Sequence, residues 1–316
     1  MMKNSMMNEK IGIVGAGLIG SAWAIVFARA GCQVALHDAS PQALQGCQAL
    51  LRKNVGDLAQ HGLLGEPVET ILARIRTVAT LAEAIEGAAL VQENVKETLA
   101  VKCEIFAEMD KLAAPETILA SSTSWLPASE FSADLAGRGR ILVGHPVNPP
   151  YLVPLVELSP APWTTQHTMD RAHDLYARAG QSPVRLNKEI TGFLLNRIQG
   201  AVLNEALNLY AEGYASSADI DTVIKNGLGM RWAFMGPFET IDLNAPGGVV
   251  DYAERYGGTY RDVAAGQLPN DWSPALLAKL EAERRTVLAA SQIEERSRWR
   301  DNRLMALVSH NKAQPK

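Results

Sequence analysis

Two residues of this sequence, His145 and Glu157, have the types and spacing that acid–base chemistry needs. They lie on either side of a proline-rich segment in HPVNPPYLVPLVEL, residues 145–158. A turn centred on Tyr151 would place them opposite each other on two antiparallel strands, with Cβ atoms about 5 Å apart. A carboxylate that binds one imidazole nitrogen fixes the tautomer and leaves the other nitrogen to accept a proton from a substrate. Taken singly, His145 could instead bond a backbone carbonyl, and Glu157 could be a surface acid at a strand end.

A glycine-rich segment nearer the amino terminus has the pattern of a dinucleotide site. An apolar run, residues 11–14, precedes the G-x-G-x-x-G motif of residues 15–20, a helical pattern follows in residues 21–29, and a second apolar run ends at Asp38. This combination of strand, glycine turn, helix and acidic strand end indicates a dinucleotide site far more specifically than the glycines alone do. The predicted cofactor contacts in the motif are Gly15, Gly17, Leu18, Ile19 and Gly20.

Each glycine of that motif has a separate physical role. Gly15 permits the tight turn, Gly17 lets the pyrophosphate approach the backbone, and Gly20 allows the helix to pack closely on the strand. The start of the helix offers unpaired N–H groups and a partial positive charge to the phosphates. Asp38 would accept hydrogen bonds from the ribose hydroxyls, and its charge would repel a 2′-phosphate. We therefore predict NAD as the cofactor rather than NADP.

The composition indicates a globular protein of about two domains. The chain has 316 residues, of which 47% are hydrophobic, and a formal net charge of −4. The negative balance argues against a general attraction to nucleic acid or to an anionic membrane. No apolar run is long enough to cross a bilayer. The polar leader, residues 1–10, lacks the apolar centre of a signal peptide, so we expect a cytoplasmic location.

The cysteines and histidines predict neither a disulfide framework nor a metal site. The three cysteines form no C-x-x-C pair, and the six histidines are scattered without metal-ligand spacing. Cys32 and Cys103 lie in patterned apolar segments, so we predict that both are small core residues.

Strands and helices alternate along the first half of the chain, which predicts a doubly wound, mostly parallel α/β sheet of the Rossmann type. In such sheets ligands bind beyond the carboxyl ends of the strands. Glu97, Ser124 and His145 fall at or just after such ends, as the glycine motif does. Beyond the last strand the pattern is helical throughout, so the predicted domains are residues 1–188 for NAD and residues 189–316 as an all-helical domain.

Two residues of the predicted helical domain are candidates for contact with the substrate. Residues 190–197 are predicted to open a long helix, with Gly192 and Asn196 one turn apart on one face. Asn196 could point into the cleft between the domains, or it could be an ordinary exposed asparagine. Arg231 lies in a predicted loop of glycine and aromatic residues, 227–239, where it could meet a substrate anion or form a surface ion pair.

A family resemblance is carried by four motifs, IGIVGAGLIGSAWA, SSTSWL, GHPVNPPYLVPLVEL and ITGFLLNRIQGAVLNEAL. Together they resemble the 3-hydroxyacyl-CoA dehydrogenase superfamily over nearly the whole chain. HPVNPPYLVPLVEL and GLGMRWAFMGPFETIDLNAPGG are most similar to its lambda-crystallin branch, the L-gulonate 3-dehydrogenases. Acyl-CoA members typically carry phenylalanines where this chain has Pro146-Val147. The resemblance implies a Rossmann-type domain, a helical dimerisation domain and a homodimer that uses NAD.

The resemblance also implies roles for single residues. The superfamily's catalytic histidine and glutamate match His145 and Glu157, in agreement with the hairpin argument. Its active-site serine and the asparagine of its G-F-x-x-N-R motif match two further residues, Ser124 and Asn196. Its cofactor-binding glutamate and lysine match a pair five positions apart, Glu97 and Lys102. The choice of Lys102 rests on the resemblance alone.

These observations predict NAD-dependent oxidation of the 3-hydroxyl of a small, L-gulonate-like hydroxy acid, with His145 as the general base. The nearest alternative is an L-3-hydroxyacyl-CoA dehydrogenase, which needs cations for the CoA phosphates. The helix predicted after residue 40 offers only Arg52 and Lys53 close together. L-Carnitine or another 3-hydroxy acid fits the same chemistry. A non-catalytic NAD(H)-binding or crystallin-like structural role is a more remote alternative, against which the intact set of catalytic residues argues.

Overall fold

The computed structural model describes residues 8–314 of the chain. Residues 1–7 of the polar leader lie outside the described residues, and the cytoplasmic location expected from it stays a prediction. Within the described part, every helix is either too short or too polar to span a bilayer. The chain divides into two compact units, which we describe separately: the first runs to Asn196 and resumes at Asp301, and the second is Arg197–Arg300.

The first unit is built on one sheet. Its strands, in chain order, are β1 (Lys10–Val14), β2 (Gln33–His37), β3 (Ile75–Val78), β4 (Leu90–Glu93), β5 (Ile118–Ser121), β6 (Ile141–Pro146), β7 (Leu155–Pro160) and β8 (Ser182–Arg185). They lie side by side in the order β3-β2-β1-β4-β5-β6-β7-β8. Strands β1 to β6 are parallel to their neighbours, β7 runs antiparallel to β6, and β8 is parallel to β7. This order confirms the predicted Rossmann-type sheet. Pro183 lies on the edge strand β8, where its missing N–H group does not remove a hydrogen bond between strands.

Helices cover the sheet in the first unit. They are α1 (Leu18–Arg29), α2 (Pro41–Gln60), α3 (Val68–Ala73), α4 (Leu81–Ile85), α5 (Leu99–Leu112), α6 (Ala128–Ser132) and α7 (Gln166–Arg178). Helix α1 is apolar nearly all round, and its residues 20–28 are buried, which is the pattern of a helix enclosed by the core. The rings of Trp23, Phe27 and Tyr176 pack together there, with centroids 5.4–5.9 Å apart. Ser40 caps α2 and Pro41 occupies its first turn.

The rest of the chain is helical. The helices are α8 (Leu195–Ala211), α9 (Ser217–Val223), α10 (Gly229–Trp232), α11 (Pro237–Leu243), α12 (Gly248–Gly266), α13 (Pro274–Val287) and α14 (Ile293–Ala313). A helical region after the sheet confirms the predicted fold class. The predicted loop 227–239 is largely helical, because α10 and the start of α11 fall inside it.

The units of the structure differ from the predicted domains, 1–188 and 189–316. The first unit also contains residues 189–196 and the segment from Asp301 onward. Met305 explains the second difference, because it is 3% exposed within the core of the first unit and Leu304 and Val308 pack beside it. That residues 1–188 and 189–316 form two separate domains stays a prediction.

The cysteines divide into two kinds. Cys32 and Cys47 are buried, whereas Cys103 on α5 is exposed. The prediction that Cys103 is a core residue is therefore wrong, because the buried positions of α5 are those of Lys102, Phe106 and Met109. Burial raises the pKa of the Cys32 thiol to about 12, so this side chain is a neutral part of the core at physiological pH.

Candidate active site

The hairpin of β6 and β7 brings His145 and Glu157 face to face. The two residues are register partners in the antiparallel pair, as the turn centred on Tyr151 predicted. The His145 Nδ1 atom lies 2.9 Å from Glu157 Oε2, and the residues are 5% and 1% exposed. Because a carboxylate only accepts hydrogen bonds, Nδ1 carries the proton and donates. The Nε2 atom of His145 is then the nitrogen with a lone pair available to take a proton.

Glu157 is itself held by the start of α8. Its second oxygen, Oε1, accepts hydrogen bonds from the backbone N–H groups of Leu194 (2.8 Å) and Leu195 (2.9 Å). Both donors lie at the start of α8, so this carboxylate oxygen faces the amino-terminal end of that helix. Glu157 therefore joins the imidazole of His145 to the backbone of the following segment.

That segment, residues 192–196, consists of a turn and the first two residues of α8, and it contacts several parts of the site. Gly192 and Phe193 have φ values of 76° and 49°, in the left-handed region, so they cannot belong to a helix. The prediction that residue 190 opens the helix is therefore wrong, and α8 begins at Leu195. The Phe193 ring is fully buried with its centroid 5.3 Å from that of His145. We call residues 192–196 the pre-helix turn.

Asn196 and Ser124 meet through the pre-helix turn. The Asn196 side-chain amide donates from Nδ2 to the backbone carbonyl of Ser124, at 3.0 Å. Asn196 is therefore not a free surface residue, and the structure brings it to Ser124. Ser124 follows the carboxyl end of β5, next to the strand that carries His145. The direct contacts of both side chains with substrate stay predictions.

Glu97 fixes the backbone around Ser124. Its Oε1 atom accepts hydrogen bonds from Thr123 Oγ1 (2.6 Å) and from the backbone N–H groups of Ser124 (2.5 Å) and Trp125 (3.1 Å). One carboxylate oxygen thus replaces the backbone partners that this turn lacks. Glu97 lies at the predicted strand-end position, and its contact with the cofactor stays a prediction.

Lys102 has a buried partner. Its ammonium group donates to both oxygens of Glu93, at 2.7 and 2.8 Å, and the residue is 1% exposed. Ser121 Oγ donates to the same carboxylate. The pair ties α5 to the carboxyl end of β4, a role that the sequence pattern did not suggest. The cofactor contact implied for Lys102 stays a prediction.

The glycine motif has the geometry that a dinucleotide requires. Gly15 has a φ of 98°, and a Cβ atom built on Gly20 would lie 1.8 Å from the Gly15 carbonyl oxygen, so both positions demand glycine. A Cβ atom on Gly17 would meet nothing within 4 Å among the described residues. Gly17 is the N-cap of α1, and no described side chain caps that end. The first N–H groups of α1 therefore have no side-chain cap, and their contact with a pyrophosphate stays a prediction.

Asp38 connects this turn to the end of β2. Its carboxylate accepts hydrogen bonds from the backbone N–H groups of Ala16 (2.7 Å) and Ser40 (2.8 Å). The remaining lone pairs are available to ribose hydroxyls, and the charge disfavours a phosphate at the same place. The residues present fit NAD, which would accept the hydride in any oxidation at this site.

A buried hydrogen-bond network beneath the site was not foreseen. Gln92, in the fully buried strand β4, donates from Nε2 to Ser122 Oγ (2.7 Å) and to the Gly144 carbonyl (3.1 Å). Its Oε1 accepts from the Tyr176 hydroxyl, and Ser122 donates to Asn94 (2.7 Å). Burial raises the pKa of the Tyr176 hydroxyl. A glutamine directly after the apolar pair Leu90-Val91 was the signal that could have revealed the network, which supports the residue preceding His145.

Arg231 lies in the second unit, on α10. Its side chain is exposed, and among residues 8–314 it forms no ion pair. The surface ion pair considered as its alternative role is thus absent from the described part, while contact with a substrate anion stays a prediction.

Comparisons with known proteins agree on one family. The sequence profile described as "3-hydroxyacyl-CoA dehydrogenase, NAD binding domain" matches residues 10–190, and that of its C-terminal domain matches residues 192–286. A lambda-crystallin homolog of Bos taurus is 45% identical over 304 residues, which cover 94% of each chain. An L-carnitine dehydrogenase of Nocardiopsis dassonvillei is 35% identical and covers 94% of this chain and 90% of that one. A solved structure of 5-formyl-3-hydroxy-2-methylpyridine 4-carboxylic acid 5-dehydrogenase, described as an NAD⁺-dependent dismutase, superimposes with a TM-score of 0.84 at 27% identity, covering 98% and 100% of the two chains.

Proposed function

Because the chain belongs to the 3-hydroxyacyl-CoA dehydrogenase family, whose members use NAD to oxidise CH–OH groups, we propose that it oxidises the 3-hydroxyl of a small hydroxy acid of the L-gulonate type. The products are the 3-oxo acid, NADH and a proton. The predicted superfamily, the NAD cofactor and the class of enzyme are confirmed; the substrate and the residue roles below are our proposal.

The observation that carries the proposal is the bond between His145 Nδ1 and Glu157 Oε2. With Nδ1 committed as a donor, Nε2 of His145 accepts the proton of the substrate hydroxyl. NAD⁺, which the glycine motif and Asp38 would hold, would accept the hydride from C3. The imidazolium that forms is stabilised by the Glu157 carboxylate. Three donors hold that carboxylate, from His145, Leu194 and Leu195, so it does not have to reorganise when the charge on His145 appears.

Ser124 and Asn196 orient the substrate in this proposal. The Ser124 hydroxyl bonds the 3-hydroxyl oxygen, and the Asn196 amide bonds a neighbouring oxygen through the atoms not used on the Ser124 carbonyl. The Glu97 and Asn196 contacts described above support these roles, because they fix the Ser124 backbone from two sides. A fixed hydroxyl contributes to rate by holding the reacting groups in one geometry.

The charges of α2 favour a small acid over a CoA thioester. Arg52 forms an ion pair with Glu69, and Lys53 with Asp57 at 2.8 Å. Both cations considered for CoA phosphates are thus already paired with carboxylates of the first unit. L-Carnitine remains the second candidate because a relative at 35% identity is named L-carnitine dehydrogenase.

We also propose that the protein acts as a homodimer through its second unit. Large apolar side chains are exposed there in unusual number, among them Met230, Phe234, Phe238, Leu243 and Tyr260. Extended apolar surface of this kind is typical of a face that a partner covers. Sedimentation equilibrium would test the state directly, and a monomer at micromolar concentration would contradict it.

A steady-state panel tests the substrate. L-gulonate, 3-hydroxybutyrate, L-carnitine and a 3-hydroxyacyl-CoA are each supplied with NAD⁺, and NADH formation is followed. We expect the highest kcat/KM with L-gulonate. A saturable rate with the acyl-CoA far above that of the free acids would instead favour the thioester enzyme, and no turnover with any 3-hydroxy acid, despite tight NADH binding, would favour a non-catalytic role.

A further inference from the structure

Trp125 is a large aromatic residue beside the proposed substrate position with no structural role for most of its surface. It directly follows Ser124, and 53% of it is exposed. Exposing that much indole to water is unfavourable unless something covers it. Its backbone, by contrast, is firmly held, since its N–H donates to Glu97 Oε1 and to Thr123 Oγ1.

One edge of the indole rests on the pre-helix turn. A Cβ atom built on Gly192 would lie 3.1 and 3.3 Å from two carbons of the Trp125 ring, so the ring occupies the space that any side chain at residue 192 would need. The next residue, Phe193, packs against the His145 ring. The pre-helix turn therefore contacts both rings, that of His145 through Phe193 and that of Trp125 through Gly192. The second contact fixes the orientation of the indole on its side away from solvent.

We propose that the exposed indole of Trp125 is the specificity-determining wall for the carbon chain of the substrate beyond C3. This inference rests on the proposed function and deepens it. With C3 between Ser124 and His145, the part of the substrate beyond Ser124 passes the next residue of the same turn. An indole face offers dispersion contacts to C–H groups over a wide area without demanding one hydrogen-bond pattern.

The ligand that fits best is a neutral chain of several C–H-bearing carbons, such as C4–C6 of a six-carbon hydroxy acid. A substrate that ends at C4 touches the ring with one methyl group only. The contribution of Trp125 should therefore increase with the number of carbons beyond C3. A quaternary ammonium group would also be attracted to the π face of the ring. The test therefore compares L-gulonate, whose chain beyond C3 is neutral, with L-carnitine, whose chain carries a quaternary ammonium group.

Two variants and one control test the inference. Trp125→Ala removes the wall, and Trp125→Phe keeps an aromatic ring in its place. Trp299→Ala is the matched control, because Trp299 is 48% exposed and lies on α14. For each protein we would measure kcat and KM for L-gulonate, 3-hydroxybutyrate and L-carnitine, together with the Kd of NADH by fluorescence.

We expect Trp125→Ala to raise KM for L-gulonate about tenfold and KM for 3-hydroxybutyrate less than about twofold, in line with the usual worth of an aromatic contact. The kcat and the NADH Kd should stay within about twofold of the wild type, and Trp125→Phe should recover most of the L-gulonate affinity. Trp299→Ala should change none of these values.

Several results would overturn the inference. One is an unchanged KM for L-gulonate. Another is a loss of kcat at constant KM, which would mean that the ring only supports the turn around Ser124. A parallel loss of NADH affinity would place the ring against the cofactor, and an effect confined to L-carnitine would make it a cation site. If the wild type oxidises nothing in the panel, the proposed function fails; titration of L-gulonate into the enzyme–NADH complex then still decides the inference, by comparing Kd between wild type and Trp125→Ala.

Discussion

His145 and Glu157 are register partners on antiparallel strands, and a 2.9 Å hydrogen bond joins their side chains in the buried part of the hairpin. The strand pairing itself sets their separation, because opposed residues of an antiparallel ladder have fixed Cβ distances. The orientation of the imidazole thus follows from backbone hydrogen bonds rather than from flexible loops, which is the preorganisation that proton transfer needs.

Replacing the proposed general base tests the mechanism most directly. His145→Gln removes the proton acceptor but keeps a side chain of similar size, so we expect kcat to fall by about two to four orders of magnitude. The NADH Kd, measured by fluorescence titration, should stay near that of the wild type. Near-normal turnover in this variant would rule out His145 as the base.

Glu157→Gln is expected to affect both rate and stability. The amide can accept through one atom only, whereas Glu157 now accepts from His145 with one oxygen and from Leu194 and Leu195 with the other. Either His145 or the backbone N–H groups of Leu194 and Leu195 must therefore lose their acceptor. We expect this loss to lower the free energy of unfolding, measured in urea, by about 1–3 kcal/mol. The kcat should fall with it because the imidazolium loses its counter-charge. A variant with wild-type stability and rate would show that the bond is dispensable.

Two glycine substitutions should separate folding from cofactor binding. Gly20→Ala would place a Cβ atom 1.8 Å from the Gly15 carbonyl oxygen, so we expect a marked loss of stability and of soluble yield. Gly17→Ala meets no described atom within 4 Å, and the fold should be unaffected. Because we predict that the pyrophosphate approaches through that space, NADH affinity should nevertheless fall by about tenfold or more. Unchanged NADH binding in Gly17→Ala would contradict the assigned position of the cofactor.

Asp38 should control the choice between NAD and NADP. Asp38→Asn keeps the size of the side chain and removes the charge, so kcat/KM with NADP should rise relative to that with NAD, by about tenfold. Part of the NAD activity should be lost as well, since the carboxylate also binds the N–H groups of Ala16 and Ser40. The ratio of the two kcat/KM values is the measurement, and an unchanged ratio would argue against contact with the ribose.

A stability prediction concerns Glu66 and pH. Hydrogen bonds from Arg74 hold the pKa of the Glu66 carboxyl below its ordinary value of 4.5. A lowered pKa stabilises the fold above the unfolded value, and this stabilisation disappears as pH falls through 4.5 and then the folded value. Glu66→Gln should therefore cost about 1 kcal/mol at pH 7, and the difference from wild type should shrink near pH 3. Urea unfolding of both proteins at pH 7 and pH 3 measures this difference in the free energy of unfolding. A difference that does not depend on pH would mean that packing, not charge, is responsible.

The sheet and the hairpin were predictable because their signals are local and repeated. Apolar runs, the glycine motif and the symmetry of residues about Tyr151 all point to the same register. The pre-helix turn was not predictable, since the apolar pattern of residues 190–197 continues into α8 and hides the left-handed backbone of Gly192 and Phe193.

Residues that act through partners distant in sequence were the hardest to foresee. Lys102 matched a cofactor residue by resemblance, yet its ammonium lies against Glu93. Gln92 has no motif of its own, and its place in the network depends on Tyr176 and Ser122, which only the folded sheet brings near. Such pairings depend on which side of a strand or helix faces the core, and the spacing along the chain does not determine that.

The unit that carries the glycine motif is completed by the far end of the chain. After residues 197–300, the chain returns to this unit at Asp301, and Met305 enters its core. In topological terms, the second unit is inserted into the first, which is therefore a discontinuous domain. The carboxyl-terminal part of α14, from Asp301 onward, completes the core of that domain. Truncation at residue 300 would therefore open the core of the cofactor-binding unit while leaving every residue of the glycine motif and the His145–Glu157 hairpin in place.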